Sequence, residues 1–284
     1  MHFLITDSGV GGLSVCAYAE RFVRTIGFTE PVRLTFANAA PANDYGYNSM
    51  SSREAKIETF DRFLTNVTQR YSPDFIYVAC NTLSVLLPDT PFFQSARIPV
   101  KGIVETGARL LERALDDDAE STALIFGTPT TIEAGAYPRL LIAHGIDSSR
   151  IVSQACPGLA DTISEDREGT KTAAAIEHWV TEAKSQVQRT VSQLVACLAC
   201  THYGYRKDVF AAALGGSTVI NPNESAVDDL FGNVRGSHHE TEVEFVTRYA
   251  IPSATIEALT WFLDDISPRT VAAMKDFAHV PDLF

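Results

Sequence analysis

Short apolar runs, each closed by a polar or glycine-rich turn and followed by a helical repeat, recur along the chain. Residues 2–6 read as a strand, 7–12 (Asp-Ser-Gly-Val-Gly-Gly) as a turn and 13–23 as a helix. A second strand candidate spans 32–37, and a loop rich in Asn, Ala and Tyr runs on to residue 49. Residues 52–71 read as an amphipathic helix, with Ile57, Phe60, Phe63, Leu64 and Val67 on one face. Strand 74–79 leads into Cys80-Asn81-Thr82, strand 99–104 follows, and a helix covers 107–115.

After an acidic stretch at 116–120 the pattern restarts with strand 122–126, turn 127–131, helix 132–144 and strand 151–154. Helix 170–188 precedes strand 193–199, which leads into Cys200-Thr201-His202. Helix 208–214, strand 218–221 and helix 224–231 come next, then a polar loop at 232–240 holding His238 and His239. Residues 242–249 read as an edge strand and 253–263 as a helix. The tail from residue 265 carries one more amphipathic helix near 271–277, either a homodimer contact or a simple extension. Strands alternating with helices predict an α/β fold with mostly parallel sheets. Right-handed crossovers then gather the carboxyl ends of the strands on one edge, where ligands bind.

Composition narrows the function classes. At roughly 150 residues per domain, 284 residues suggest one large or two modest domains. Thirty-five acidic against 23 basic residues give a net charge of −12, and no run of Lys or Arg interrupts it. Nucleic acid and anionic membrane surfaces are therefore poor partners. No segment approaches the roughly 18 apolar residues of a membrane span, and the first residues lack a secretory pattern. The five cysteines, at 16, 80, 156, 197 and 200, are an odd count that argues against a disulfide framework and for a reducing cytoplasm.

The chemistry concentrates in an internal echo. DFIYVACNT and QLVACLACTH are each an apolar strand ending in Cys, and the two thiols lie 120 residues apart. A thiol just past a parallel strand sits near backbone N–H groups, which predicts a pKa below its reference of about 8.5. Inverting a stereocentre needs two matched bases, one on each face of a carbon. Buried core cysteines are the plain alternative. His202 stands two residues after Cys200, where an imidazole accepts the thiol proton or holds a substrate group. Asp7 ends the first strand and either binds a ligand ammonium, orients a thiol, or caps the helix that follows. The glycines at 9, 11 and 12 lack dinucleotide spacing. Cys197-x-x-Cys200 has redox spacing, but Cys197 falls mid-strand, and no zinc-ligand spacing is present.

The strings Asp7-Ser8-Gly9-Val10-Gly11-Gly12-Leu13-Ser14, Tyr45-Gly46, Ala79-Cys80-Asn81-Thr82 and Cys200-Thr201-His202-Tyr203 resemble the glutamate racemase family, within the aspartate/glutamate racemase superfamily. Val104-Glu105-Thr106-Gly107-Ala108, Thr131, Gly135-Ala136-Tyr137, Ala155-Cys156-Pro157 and Glu224-Ser225-Ala226 extend the likeness over most of the chain. The resemblance implies two similar α/β halves, residues 1–98 with 206–284 and residues 99–205, with the active site between them. It implies a cofactor-independent isomerase that makes D-glutamate for peptidoglycan, needing no metal, nucleotide or pyridoxal phosphate. Cys80 would be the base for the D-enantiomer and Cys200 for the L-enantiomer, supported by Asp7 and His202 respectively. Ser8, Tyr45, Gly46, Asn81, Thr82, Thr131 and Thr201 would hold the carboxylates and the ammonium, with Asp7 and His202.

Several positions depart from the family pattern. The family's Arg-Val-Pro before Tyr-Gly is replaced within residues 38–44, and an acidic residue usual near the second thiol aligns with Ser164, one position before Glu165. These changes leave a racemase for aspartate or another amino acid as a second reading. A regulatory, gyrase-binding protein of the same fold is a third.

Overall fold

The computed structural model describes residues 1–42 and 46–284. The chain divides into two compact units, Met1–Ile103 with Asn223–Phe284, and Val104–Pro222. Each is an α/β unit around a parallel sheet, as the alternating pattern predicts.

The first unit holds β1 (His2–Asp7), β2 (Val32–Asn38), β3 (Phe75–Val78) and β4 (Val100–Gly102). From the chain's last part come two more strands of the same sheet, named below as β9 and β10. In the second unit lie β5 (Thr122–Gly127), β6 (Ile151–Ala155), β7 (Leu194–Ala199) and β8 (Thr218–Ile220). The chain then returns to the first unit with β9 (Thr241–Thr247) and β10 (Ala278–His279). The first sheet has the order β10-β9-β2-β1-β3-β4 and the second β6-β5-β7-β8. Every strand pair in both sheets is parallel.

In the first sheet the chain leaves β1 for β2 on one side and returns to β3 on the other. In the second it leaves β5 for β6 and returns to β7 on the far side. Neighbouring connections thus depart in opposite directions at β1/β3 and at β5/β7. Such divergence, at the carboxyl ends of the two strands, is where open α/β sheets bind ligands.

Apolar burial supports both sheets. Phe3 on β1 packs edge-on against Phe28 and Phe231, with ring centroids 6.2 and 5.1 Å apart, and Phe22 stacks on Phe231 at 4.8 Å. Burying each such ring is worth roughly 2 kcal/mol. The helix Arg53–Tyr71 buries Phe60, Phe63, Leu64 and Val67, the stripe its periodicity predicts, and Ser52 caps it by accepting from the Ala55 N–H. The second unit closes around Phe126, Ile163, Ile176, Leu198, Tyr203 and Phe210.

Two expectations need correction, and one helix carries no signal in the sequence. The predicted helix over 132–144 is two helices, Pro129–Glu133 and Ala136–Ala143, separated by Gly135 at φ +62°. Only glycine enters that left-handed region without strain, and the chain turns there. The strand expected at an edge, β9, lies inside the sheet, because the two residues of β10 pair beyond it in parallel. A pairing that short leaves no periodicity to read. The helix Leu159–Glu165 was not expected at all. The tail spends its apolar side within its own unit: Val271 and Met274 are buried and Phe284 packs on Phe63 at 5.2 Å. Among the described residues no helix is long and apolar enough to cross a membrane.

Candidate functional site

In the first unit, register alone brings two functional side chains together. Thr6 on β1 lies opposite Val78 on β3, so the next residues along, Asp7 and Ala79 with Cys80, emerge side by side at the carboxyl edge. The Ala79 N–H donates to the Thr6 carbonyl at 2.8 Å and extends the pairing to the residue before the thiol. The backbone then turns: the Ser84 N–H donates to the Cys80 carbonyl at 2.8 Å, opening the short helix Asn81–Ser84. Ser84 fastens that turn by donating to the Val78 carbonyl and accepting from the Ile103 N–H, at 3.0 and 3.1 Å.

The Ser8 hydroxyl lies 3.1 Å from the Cys80 sulfur. Asp7 is buried, and its Oδ1 accepts from the Gly9 N–H at 2.9 Å. Asp7 therefore shapes the turn and does not cap the following helix, whose N-cap is Gly12. Gly12 needs no positive φ; it needs room. A Cβ there would stand 2.8 Å from the Asp7 Cβ and 3.1 Å from the Ala79 Cβ. The glycine-rich turn thus lets the helix approach the carboxylate and the thiol strand closely. Asn81 and Thr82 follow the thiol and are buried, Gly46 and Ser8 are partly exposed, and Tyr45 lies outside the described residues.

The expected lowering of the thiol pKa is overturned at Cys80. Burial, reinforced by the negative charge of Asp7, pushes it up to about 12. Hydrogen bonds from Ser8 and from the backbone N–H groups of Ser8 and Leu83 oppose the rise without cancelling it. The strand-end amides are present as the sequence predicts, but desolvation outweighs them. At neutral pH Cys80 is therefore a thiol.

The second unit repeats the backbone device with other side chains. Gly127 on β5 lies opposite Ala199 on β7, so Thr128 and Cys200 leave the sheet together. Cys200 precedes the 3-10 helix Thr201–Arg206, and its carbonyl accepts from the Tyr203 N–H at 3.1 Å. The Thr128 hydroxyl caps the helix Pro129–Glu133 through the Thr131 N–H and lies 3.0 Å from the Thr131 hydroxyl. Thr131 and Thr201 are both buried. Burial pulls the His202 imidazole down to about 4, so the ring is neutral through the physiological range.

Two tyrosines carry no role in the sequence reading. Tyr203 is fully buried, and its hydroxyl donates to the Cys156 carbonyl at 3.2 Å. Tyr47, on the other unit, lies buried near Cys80. A further acid of the second unit is the half-buried Asp161. Its carboxyl is raised by burial and then by Glu165, and its charge acts on Tyr203. The Ser164 hydroxyl instead donates to the Ala160 carbonyl of its own helix at 3.0 Å.

The remaining thiols are core residues. Cys16, Cys156 and Cys197 are buried and pushed up to about 12 by desolvation. Cys197 sits mid-strand opposite Ile125 and Ile220, as the sequence predicts. Its side-chain partner is Tyr137, which packs so closely over Gly107 that a Cβ there would run into the phenol. His238 and His239 are exposed, in a loop tied down by the pairing of His238 with Phe28. Among the described residues no three His, Cys, Asp or Glu side chains gather as a metal site would require.

A family model described as Asp/Glu/Hydantoin racemase matches residues 12–230. The chain is 28% identical over 222 residues to the glutamate racemase of Aquifex pyrophilus, covering 78% of each chain. It is 30% identical over 251 residues to the glutamate racemase of Jannaschia sp. strain CCS1, covering 81% of this chain and 83% of that one. In fold it is similar to the solved glutamate racemase of Campylobacter jejuni subsp. jejuni, with a TM-score of 0.75 at 21% identity over 92% of this chain and 98% of the other.

Proposed function

The chain belongs to the Asp/Glu/Hydantoin racemase family and is an amino-acid racemase, an isomerase; we propose that its substrate is glutamate and that Cys80 and Cys200 carry the proton. One observation supports the assignment of the thiols most. Each unit places a cysteine just past the strand that borders its diverging connections, followed at once by a small hydrogen-bonding side chain, Asn81 or Thr201. Core packing alone gives no reason for that coincidence to occur twice.

The chemistry follows from charge. With D-glutamate bound, the Cys80 thiolate takes the α-proton and becomes a thiol. The electron pair stays on the α-carbon and spreads into the α-carboxylate. The Cys200 thiol gives its proton to the opposite face and is left as the thiolate; the L-to-D reaction is the reverse. A Cys80 pKa near 12 makes the thiolate scarce in the empty site. The substrate ammonium supplies the remedy, because a cation beside the sulfur favours its charged form, and buried Asp7 is suited to hold that cation. Asn81, Thr82, Thr131 and Thr201 offer donors to the carboxylates, where developing negative charge is best stabilised away from water. His202 serves the second thiol as a neutral hydrogen-bonding ring. Ser8, Gly46 and Tyr45 complete the substrate contacts. The D-glutamate formed supplies peptidoglycan synthesis, and five cysteines outside any disulfide suit a reducing cytoplasm.

The test is a chiral assay of the purified protein with no cofactor added. L-Glutamate converts to the D-enantiomer, and aspartate reacts at least about tenfold more slowly. Interconversion of aspartate with none of glutamate overturns the substrate assignment.

A further inference from the structure

Tyr47 is the first residue of a short 3-10 helix, Tyr47–Ser49, and is 1% exposed. Its ring packs edge-on against Phe60 at 6.3 Å. Among the described residues its buried hydroxyl has no hydrogen-bond partner. Tyr203, beside the other thiol, is equally buried but has the Cys156 carbonyl to donate to. A buried polar group without a partner is a cost to the folded chain and calls for a reason, such as strain, a functional role or a molecule that it binds.

We propose that the Tyr47 hydroxyl is a binding group for the amino acid at Cys80, donating its hydrogen bond to a substrate carboxylate oxygen. The proposal rests on the reading of Cys80 as a substrate thiol. Three observations support it. Tyr47 and Cys80 lie within electrostatic reach of each other, which places the hydroxyl at the thiol's surroundings. The thiol already has the Ser8 hydroxyl at 3.1 Å, so Tyr47 is not needed to satisfy the sulfur. Burial holds the phenol in its neutral form, which donates, while Arg62 favours negative charge at that spot. An ammonium has no lone pair to accept the bond. A carboxylate is an acceptor only and suits both the donor and the field.

The experiment is Tyr47→Phe, which keeps the ring on Phe60 and removes one oxygen. KM and kcat for both glutamate enantiomers are measured, together with Tm in the absence of ligand. The expected result is a KM raised about tenfold, kcat within about threefold, and a ligand-free Tm no lower than that of the parent. An unchanged KM overturns the inference, as does a loss confined to kcat. A lowered Tm with unchanged kinetics marks the hydroxyl as purely structural and also overturns it. Parent protein that neither binds nor turns over glutamate defeats the glutamate assignment on which this inference rests, an outcome distinct from a parent that turns glutamate over while the variant is unchanged.

Discussion

The two units build one backbone device and furnish it differently. In both, a thiol follows a strand beside diverging connections and begins a short helical turn. At Cys80 the neighbours are a buried carboxylate and a hydroxyl, Asp7 and Ser8. At Cys200 they are a neutral imidazole and a buried phenol, His202 and Tyr203. The lesson is that the position of a reactive group is set by topology, whereas its charge state is set by what surrounds it. The first thiol lies in the field of an anion, and in the proposed mechanism the substrate's cation is what lets it ionise. The second is followed two residues on by an imidazole that burial keeps neutral.

Replacing each thiol tests the pairing most strongly. Cys80→Ser and Cys200→Ser are each expected to reduce racemisation by at least about a thousandfold, since serine is far too weak an acid to act as a matched proton carrier. Far-ultraviolet circular dichroism should show both variants folded. Retention of full activity in either one would break the symmetry on which the assignment stands.

A smaller effect sharpens the contrast between charged and neutral support. The His202 pKa falls from 6.5 to about 4 in the folded chain, mainly through burial. Between those values the unfolded chain holds a proton that the folded chain does not. Stability from this group is therefore present above pH 6.5 and lost as pH falls toward 4. His2, also lowered by burial, adds a slope of the same sign. The His202→Asn variant isolates the larger part: its Tm should fall less than the parent's between pH 7 and about 4.5. Identical acid slopes would mean the imidazole is solvated and free to charge.

Much of this was legible in the sequence, for identifiable reasons. Buried parallel strands such as β1 and β7 read as apolar runs because both faces are covered. The residues after them read as a site because the strand ends there. The stripe Phe60, Phe63, Leu64 and Val67 was plain because one helix face meets the core. What was not legible depends on tertiary surroundings. The Cys80 pKa follows from desolvation and Asp7, a residue 73 positions away, not from its own neighbours in sequence. The interior place of β9 depends on two residues of β10, too few to carry a pattern. The unsatisfied hydroxyl of Tyr47 is a property of packing, and a tyrosine beside Tyr45-Gly46 gives no hint of it.

The central claim, two thiols serving opposite faces of one α-carbon, is tested most directly by racemising protiated L-glutamate in deuterium oxide and analysing both enantiomers at early conversion. A pair of separate bases predicts deuterium at the α-position of newly formed D-glutamate while the remaining L-glutamate stays protiated. Product that keeps its original hydrogen, or deuterium appearing equally in both enantiomers from the start, would contradict the account.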